Sequence, residues 1–281
     1  MRRGVLLIAN NNSNIDYLFQ AINSAKRIKQ YLNLPVTLVT ETPEILITEY
    51  KKEKNVFDKV ISLKPTSDYT KKIYRDGENQ TKSLDFKNTT RSKIYDLTPY
   101  DETLALDTDV IISNDNFLKC FEQKHDFLIY KKSFDVCSHR HIKEFDNIVD
   151  QGIEFYWATC VFFRKTATNE IFFNLIRHIH ENYLHYKNLY YVTSGIFRND
   201  FVFSIAIHIM NGYQKGDFAK SMPGTLYFSS DKDELVYLDD NQLILLLEST
   251  TNKEQSLVCL TNANVHVMNK FSIERILKND S

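Results

Sequence analysis

Two carboxylates one residue apart, Asp107 and Asp109, interrupt the apolar run Thr103-Leu104-Ala105-Leu106-Asp107-Thr108-Asp109-Val110-Ile111-Ile112. The flanking Leu, Val and Ile favour a buried strand, where an unpaired charge costs on the order of several kcal/mol, so the pair needs compensation. In an extended strand residues i and i+2 point to one side, which would let both carboxylates converge on a hard divalent cation such as Mg²⁺ or Mn²⁺. The alternative is a strand end carrying two solvated aspartates. Other candidates for chemistry are cationic: Lys71, Lys72, Arg75, Lys82 and Lys87 in a polar tract at 64–90, then Arg91 and Lys93 just ahead of Asp107. They could meet a phosphate or a polyanionic acceptor, or simply solvate a long loop.

These residues need a frame, and the hydrophobic pattern supplies one. Val5 to Ala9 reads as a buried strand ending at Asn10-Asn11-Asn12. Ile15, Leu18, Phe19, Ile22, Ala25, Ile28 and Leu32 then mark a helix, and Val36 to Thr40 completes a β-α-β unit. Ligands of such sheets bind beyond the carboxyl ends of the strands, which places Asn10-Asn11-Asn12 and Thr40-Glu41-Thr42 at a candidate nucleotide pocket. Seven glycines and no Gly-X-Gly-X-X-Gly argue against a dinucleotide fold or a phosphate-cradling glycine loop.

Further along, residues 43–55 read as helix and Phe57 to Leu63 as strand, while 64–90 shows no apolar period and reads as loop. The strand of Asp109 is expected to continue to Ile112. A helix follows through Phe117 to Phe121, then strands at Phe127 to Tyr130 and at Glu154 to Lys165, the latter with the chain's only Trp, Trp157. One long helix is expected from Asn169 to Tyr191 and another within Phe197 to Gly212, its start capped by Asn199 or Asp200 and its end at Gly212. Leu235 to Leu238, Leu243 to Leu247 and Ser256 to Leu260 predict a small antiparallel sheet. The fold class is therefore α/β: a mixed sheet flanked by helices, with a small β-rich C-terminal part.

The bulk numbers narrow the function. With 281 residues, 43% of them hydrophobic, the chain can build a full core. A formal net charge of -1 advertises neither nucleic-acid nor membrane binding. Residues 1–100 nevertheless hold 17 Lys/Arg against 11 Asp/Glu, a balance that suits an anionic ligand. Cys120, Cys137, Cys160 and Cys259 lack metal-ligand spacing and read as reduced thiols of a cytoplasmic protein. No segment approaches the roughly 20 apolar residues of a membrane helix. His178, His180 and His185 lack the i, i+4 spacing of a zinc pair, and His139, Arg140, His141, Asp146 and Asp150 show no ligand pattern either.

The segment "Lys-Ile-Tyr-Asp-Leu-Thr-Pro-Tyr-Asp-Glu-Thr-Leu-Ala-Leu-Asp-Thr-Asp-Val", residues 93–110, resembles the metal-site region of GT-A nucleotide-sugar glycosyltransferases, particularly the glycogenin-like family 8. The resemblance implies a Rossmann-like GT-A domain spanning 1–281, with a nucleotide-sugar-binding half at 1–130 and an acceptor and donor-sugar half at 131–281. It implies Asp107, Asp109 and His266 as ligands of Mn²⁺ or Mg²⁺, and Lys270 on the diphosphate, although the His-to-Lys spacing of four is shorter than the family's and lacks its Gly. By the same resemblance Ala9, Asn10, Asn11, Arg91 and Thr108 would touch the donor. Trp157-Ala158-Thr159 replaces the family's Asn-Ala-Gly, putting Trp157 beside the donor sugar. "Arg-Asn-Asp-Phe-X-Phe-Ser-Ile-Ala" is similar to an element of glycosyltransferases from tailed phages. It assigns Asp200 to orienting the acceptor hydroxyl or donor sugar, or to acting as base.

The implied function is metal-dependent transfer of a hexose or pentose from a nucleotide-diphosphate sugar, UDP-linked by preference, to a hydroxyl, with retention favoured. The acceptor would be a hydroxymethylated base in phage DNA, or alternatively a glycan or lipopolysaccharide. A nucleotidylyltransferase and a noncatalytic carbohydrate- or nucleotide-binding protein are the competing classes.

Overall fold

The computed structural model describes residues 1–65, 70–137, 140, 145–148, 152–192, 194, 196–248 and 255–279. His139, His141 and Asp150 lie outside the described residues. The chain opens with β1 (Arg3–Ile8), α1 (Tyr17–Leu32), β2 (Val36–Thr40), α2 (Pro43–Thr48) and β3 (Lys59–Ser62). The α1 stripe buries Leu18, Ala21, Ile22, Ala25, Ile28 and Leu32. Asp16 accepts from Phe19 N–H at 3.0 Å to cap its start, and Asn33 ends it in the left-handed conformation at φ 50°.

A hairpin follows where a loop was expected: β4 (Thr70–Asp76) pairs antiparallel with β5 (Gln80–Phe86), turning at Gly77 with φ 70°. Its outer face is solvated, so no run of apolar residues marked it. The inner row alternates all the same, with Tyr74 and Leu84 packing on Ile15. Residues 88–93 form a short 3₁₀ turn leading into α3 (Ile94–Leu97), β6 (Glu102–Leu106) and β7 (Val110–Ile111). Then come β8 (Phe127–Tyr130), β9 (Phe134–Asp135) and β10 (Trp157–Arg164).

The expected single helix at 169–191 is broken into α4 (Ala167–Glu181) and α5 (Tyr183–Leu189) at Asn182. Next are α6 (Asn199–Met210), β11 (Leu226–Ser229), β12 (Glu234–Leu238), β13 (Gln242–Leu247), β14 (Ser256–Thr261) and β15 (Asn264–Val267). A last helix, α7 (Lys270–Asn279), was not anticipated.

The strands form a six-stranded sheet in the order β3-β2-β1-β6-β10-β8, parallel from β3 to β6 and antiparallel thereafter. This is the mixed α/β sheet the sequence implies, and β12-β13-β14 is the small antiparallel sheet near the C-terminus. A further sheet, β7-β15-β11-β9, joins segments from both halves of the chain. The main core lies around the six-stranded sheet, where β1, β2, β6 and most of β10 are buried on both faces as parallel-type strands require. Among the described residues no helix is long and apolar enough to cross a membrane.

Candidate active site

The strand expected to run unbroken from Thr103 to Ile112 is two strands in two sheets. Leu106 makes the last β6 pair, with Cys160 of β10, and Asp107 N–H still reaches Thr159 C=O at 2.9 Å. The chain then turns, Val110 N–H bonding to Asp107 C=O at 3.3 Å, and enters β7 of the other sheet. Asp107 and Asp109 therefore converge through a turn, not through the two-residue repeat of a strand. The register His266↔Val110 between β15 and β7 brings His266 to the same place, and Val267 N–H bonds to Asp109 C=O at 3.0 Å. Asp107, Asp109 and His266 each present one ligand atom, all within 4.8 Å of one another.

Two cations flank this cluster. Arg91, only 1% exposed, ion-pairs with Asp107 at 3.0 Å and donates to the carbonyls of Ala158 and Thr159, the latter at 2.9 Å. Those carbonyls are available because the β10 register against β8 shifts between Trp157 and Val161, a bulge beside the site. Lys270, at the start of α7, places Nζ 2.6 Å from Asp109 Oδ2, while His266 Nε2 lies 3.1 Å from the same oxygen.

The two aspartates sit in opposite fields. Burial pushes Asp107 up, Arg91 pulls it back and Asp109 pushes it up again, leaving it above the ordinary carboxylate range. Burial also acts on Asp109, but Lys270 and His266 outweigh it and hold that carboxyl well below the range. Lys270 shows the converse: burial lowers it, and Asp109 more than restores it.

The other expected contacts divide. Asn10, Arg91, Thr108, Asp200 and Lys270 line one cavity with the Asp-Asp-His cluster. Asn10 is fixed there by accepting from Glu41 N–H at 2.9 Å. Ala9 is buried beneath it, and Asn11 is spent on α1, accepting from Leu18 N–H at 2.9 Å and donating to Asp16 at 2.9 Å. Trp157 is buried behind the cavity and does not line it; its ring is edge-on to His266, with centroids 6.3 Å apart. Asp200 does not cap α6, whose N-cap position is Arg198. Its Oδ1 accepts from Ala158 N–H at 2.9 Å and its Oδ2 from Arg198 Nε at 3.0 Å.

Of the cations read from the polar tract, Lys72 and Lys87 line the cavity, while Tyr74 and Phe86 of the hairpin and Asp231 of the loop after β11 are lining residues not singled out by sequence. Tyr17 Oη donates to Tyr74 Oη at 3.3 Å, and burial raises both phenols. Burial, with Lys270 and Arg198 nearby and Asp200 and Asp109 opposing, lowers Lys72 to about 8. Asp231 is raised, by burial against the pull of Lys72, Arg75 and Lys270.

The donor set suits a hard divalent cation: two carboxylates and one imidazole within reach of one another. His266 Nδ1 is buried without a hydrogen-bond partner among the described residues, and Lys270 supplies the counter-charge that a cation would otherwise bring to Asp109.

No protein-family model matches the sequence, and no curated protein does. Solved structures to which the chain is similar include the glycosyltransferase GlyE of Streptococcus pneumoniae TIGR4, at TM-score 0.44 and 12% identity over 79% of this chain and 45% of that one. An active-site mutant of LgtC matches at TM-score 0.47 and 12% identity, over 78% and 72%. The bifunctional IspDF from Campylobacter jejuni matches at 0.41 and 12%, over 80% and 50%. The chain thus spans about half the length of the GlyE and IspDF chains. With both a glycosyltransferase and IspDF at such values, the residues of the cavity carry the functional reading.

Proposed function

We propose that the protein is a metal-dependent glycosyltransferase that moves a sugar from a nucleotide-diphosphate donor, UDP-linked by preference, to an acceptor hydroxyl. The observation that carries this reading is the convergence of Asp107, Asp109 and His266 within 4.8 Å, beside Lys270 and Arg91 in one cavity. Asp107, Asp109 and His266 would hold Mn²⁺ or Mg²⁺, which supplies Lewis-acid stabilisation of charge on the departing diphosphate.

The chain's own part is to bind and to orient. Lys270 adds positive charge where the diphosphate leaves, and Arg91 holds Asp107 in place against the β10 bulge. Asn10, just beyond β1, lines the cavity and would meet the nucleoside, and Thr108 lines it at the metal turn. In the transfer the anomeric carbon–oxygen bond to the diphosphate breaks, with its electron pair leaving on that oxygen. A bond from the acceptor oxygen forms, and the acceptor proton passes to a phosphate oxygen of the leaving group. Retention is the stereochemistry this favours, because both oxygens of Asp200 are already engaged by Ala158 and Arg198, which suits a positioning group better than a free base.

The acceptor class extends in this proposal to a hydroxymethylated base in DNA, supported by Lys71, Arg75 and Lys82 on the hairpin; salt-sensitive DNA binding is its test.

The deciding experiment incubates the protein with Mn²⁺ and a panel of UDP-, GDP- and CDP-sugars, reading nucleotide diphosphate with and without EDTA. Release that EDTA abolishes is expected. Release of inorganic pyrophosphate from a nucleoside triphosphate and a sugar phosphate would instead make the protein a nucleotidylyltransferase. No turnover with any donor would sink the catalytic reading.

A further inference from the structure

Three of the cavity's cations are tied to carboxylates: Arg91 to Asp107 at 3.0 Å, Arg198 to Asp200 at 3.0 Å and Lys270 to Asp109 at 2.6 Å. Lys72 is different. It lines the same cavity from β4, yet among the described residues no carboxylate lies within ion-pairing distance of it. Its neighbours are the rings of Tyr74 and Phe86, each with its centroid 5.6 Å from Nζ. Such ring contacts are weak at an accessible site, while Lys270 and Arg198 crowd Lys72 with like charge.

The hairpin aims this residue. Strand alternation puts Lys72 on the inner row with Tyr74, and the register Lys72↔Leu84 sets it across from an apolar side chain. Tyr74 and Leu84 fasten that row to Ile15, and α7, which begins with Lys270, packs against β4. Lys71, one residue away, points out to solvent, and Lys82 lies over the ring of Phe271. A half-buried ammonium held beside two other cations, with Asp231 near it but not in ion-pair contact, is a site short of an anion.

We propose that Lys72 is a second cationic contact for the donor diphosphate, delivered by the hairpin beside Lys270. The proposal rests on the nucleotide-sugar reading and deepens it. The β4–β5 hairpin then forms a wall of the donor site, and Lys72 and Lys270 together neutralise charge that neither could match alone.

The test measures binding of UDP, GDP and CDP, and of the matching monophosphates, to the full chain in Mn²⁺ by calorimetric titration. Lys72→Gln is expected to weaken the tightest diphosphate about tenfold, the effect of losing one charge-assisted contact, while changing the monophosphate less than about twofold. Lys72→Arg should restore most of the affinity, and Lys52→Gln, at an exposed lysine outside the cavity, should change nothing. Unchanged diphosphate affinity in Lys72→Gln would overturn the proposal and leave the glycosyltransferase reading standing. Equal weakening of mono- and diphosphates would also overturn it, by showing a general field effect. If the unaltered protein binds no nucleotide, the nucleotide-sugar reading falls, and this one with it.

Discussion

The two walls of the cavity are built on opposite principles. On the sheet side, Arg91 is enclosed, ion-paired to Asp107 and bonded to carbonyls exposed by the β10 bulge, so its charge is matched and its rotamer fixed. On the hairpin side, Lys72 is half-buried, flanked by rings and matched by no carboxylate among the described residues. A small cluster centred on Ile15, Tyr74 and Leu84 fastens that wall, against the extended core behind the other. The difference separates scaffold from recognition: a satisfied charge sets geometry, and an unsatisfied one leaves attraction to spare for a ligand.

The sharpest way to break this picture is at the point both walls serve. Asp109→Ala removes the carboxylate that His266 and Lys270 share and is expected to lower metal-dependent turnover at least about a hundredfold, as loss of a charge-stabilising group does elsewhere. Full activity in the donor assay would remove the site from the metal turn altogether.

Next in size, Arg91→Leu leaves Asp107 with its partner gone and takes a donor from the carbonyls of Ala158 and Thr159, the second of which keeps Asp107 N–H. Chemical denaturation should show a loss of about 3 kcal/mol or more. A loss under about 1 kcal/mol would mean that the sheet wall is not built on this pair.

Leu84→Ala should cost about 2 kcal/mol, the low end for a buried leucine, because its cluster is small. Its amide-exchange signature should be confined to β4 and β5, with the six-stranded sheet unaffected. Loosening that spread through the central sheet would show that the hairpin is part of the main core.

The smallest expected effect is in pH. Lys72 is protonated below its pKa of about 8 and attracts an anion only in that form, so diphosphate affinity should fall as pH rises through 8. Of the groups facing it, Lys270 is raised and stays charged, and Lys270 and His266 hold Asp109 well below the ordinary carboxylate range. A decline of about three- to fivefold between pH 7 and pH 9, absent in Lys72→Gln, is the expected titration result. A flat profile for the unaltered protein would place the diphosphate elsewhere.

Much of the frame was legible because it rests on burial. Val36 to Thr40 carries a continuous β-branched and apolar run, and the α1 stripe follows helical spacing, so both were readable. Asp107 and Asp109 stood out because two charges in an apolar run demand compensation. The route by which they converge was hidden, since a turn between two sheets leaves no mark when its flanks, Leu106 and Val110, are both buried. The hairpin escaped because only one of its faces packs, and on that face Lys72 stands where an apolar residue would have completed the alternation. Its place in the site and its illegibility have the same cause. The final helix was within reach: Ile273, Ile276 and Leu277 are spaced for one face.

The turn between β6 and β7 makes the seam of the fold and the ligand cluster one place. Asp107 ends a strand of the six-stranded sheet, whereas His266 lies in β15 of the other. Any ion that joins their ligand atoms also clamps those two sheets together. The preference of the ion for the closed seam over the opened one and the resistance it adds to opening are then one coupling free energy, read from either side.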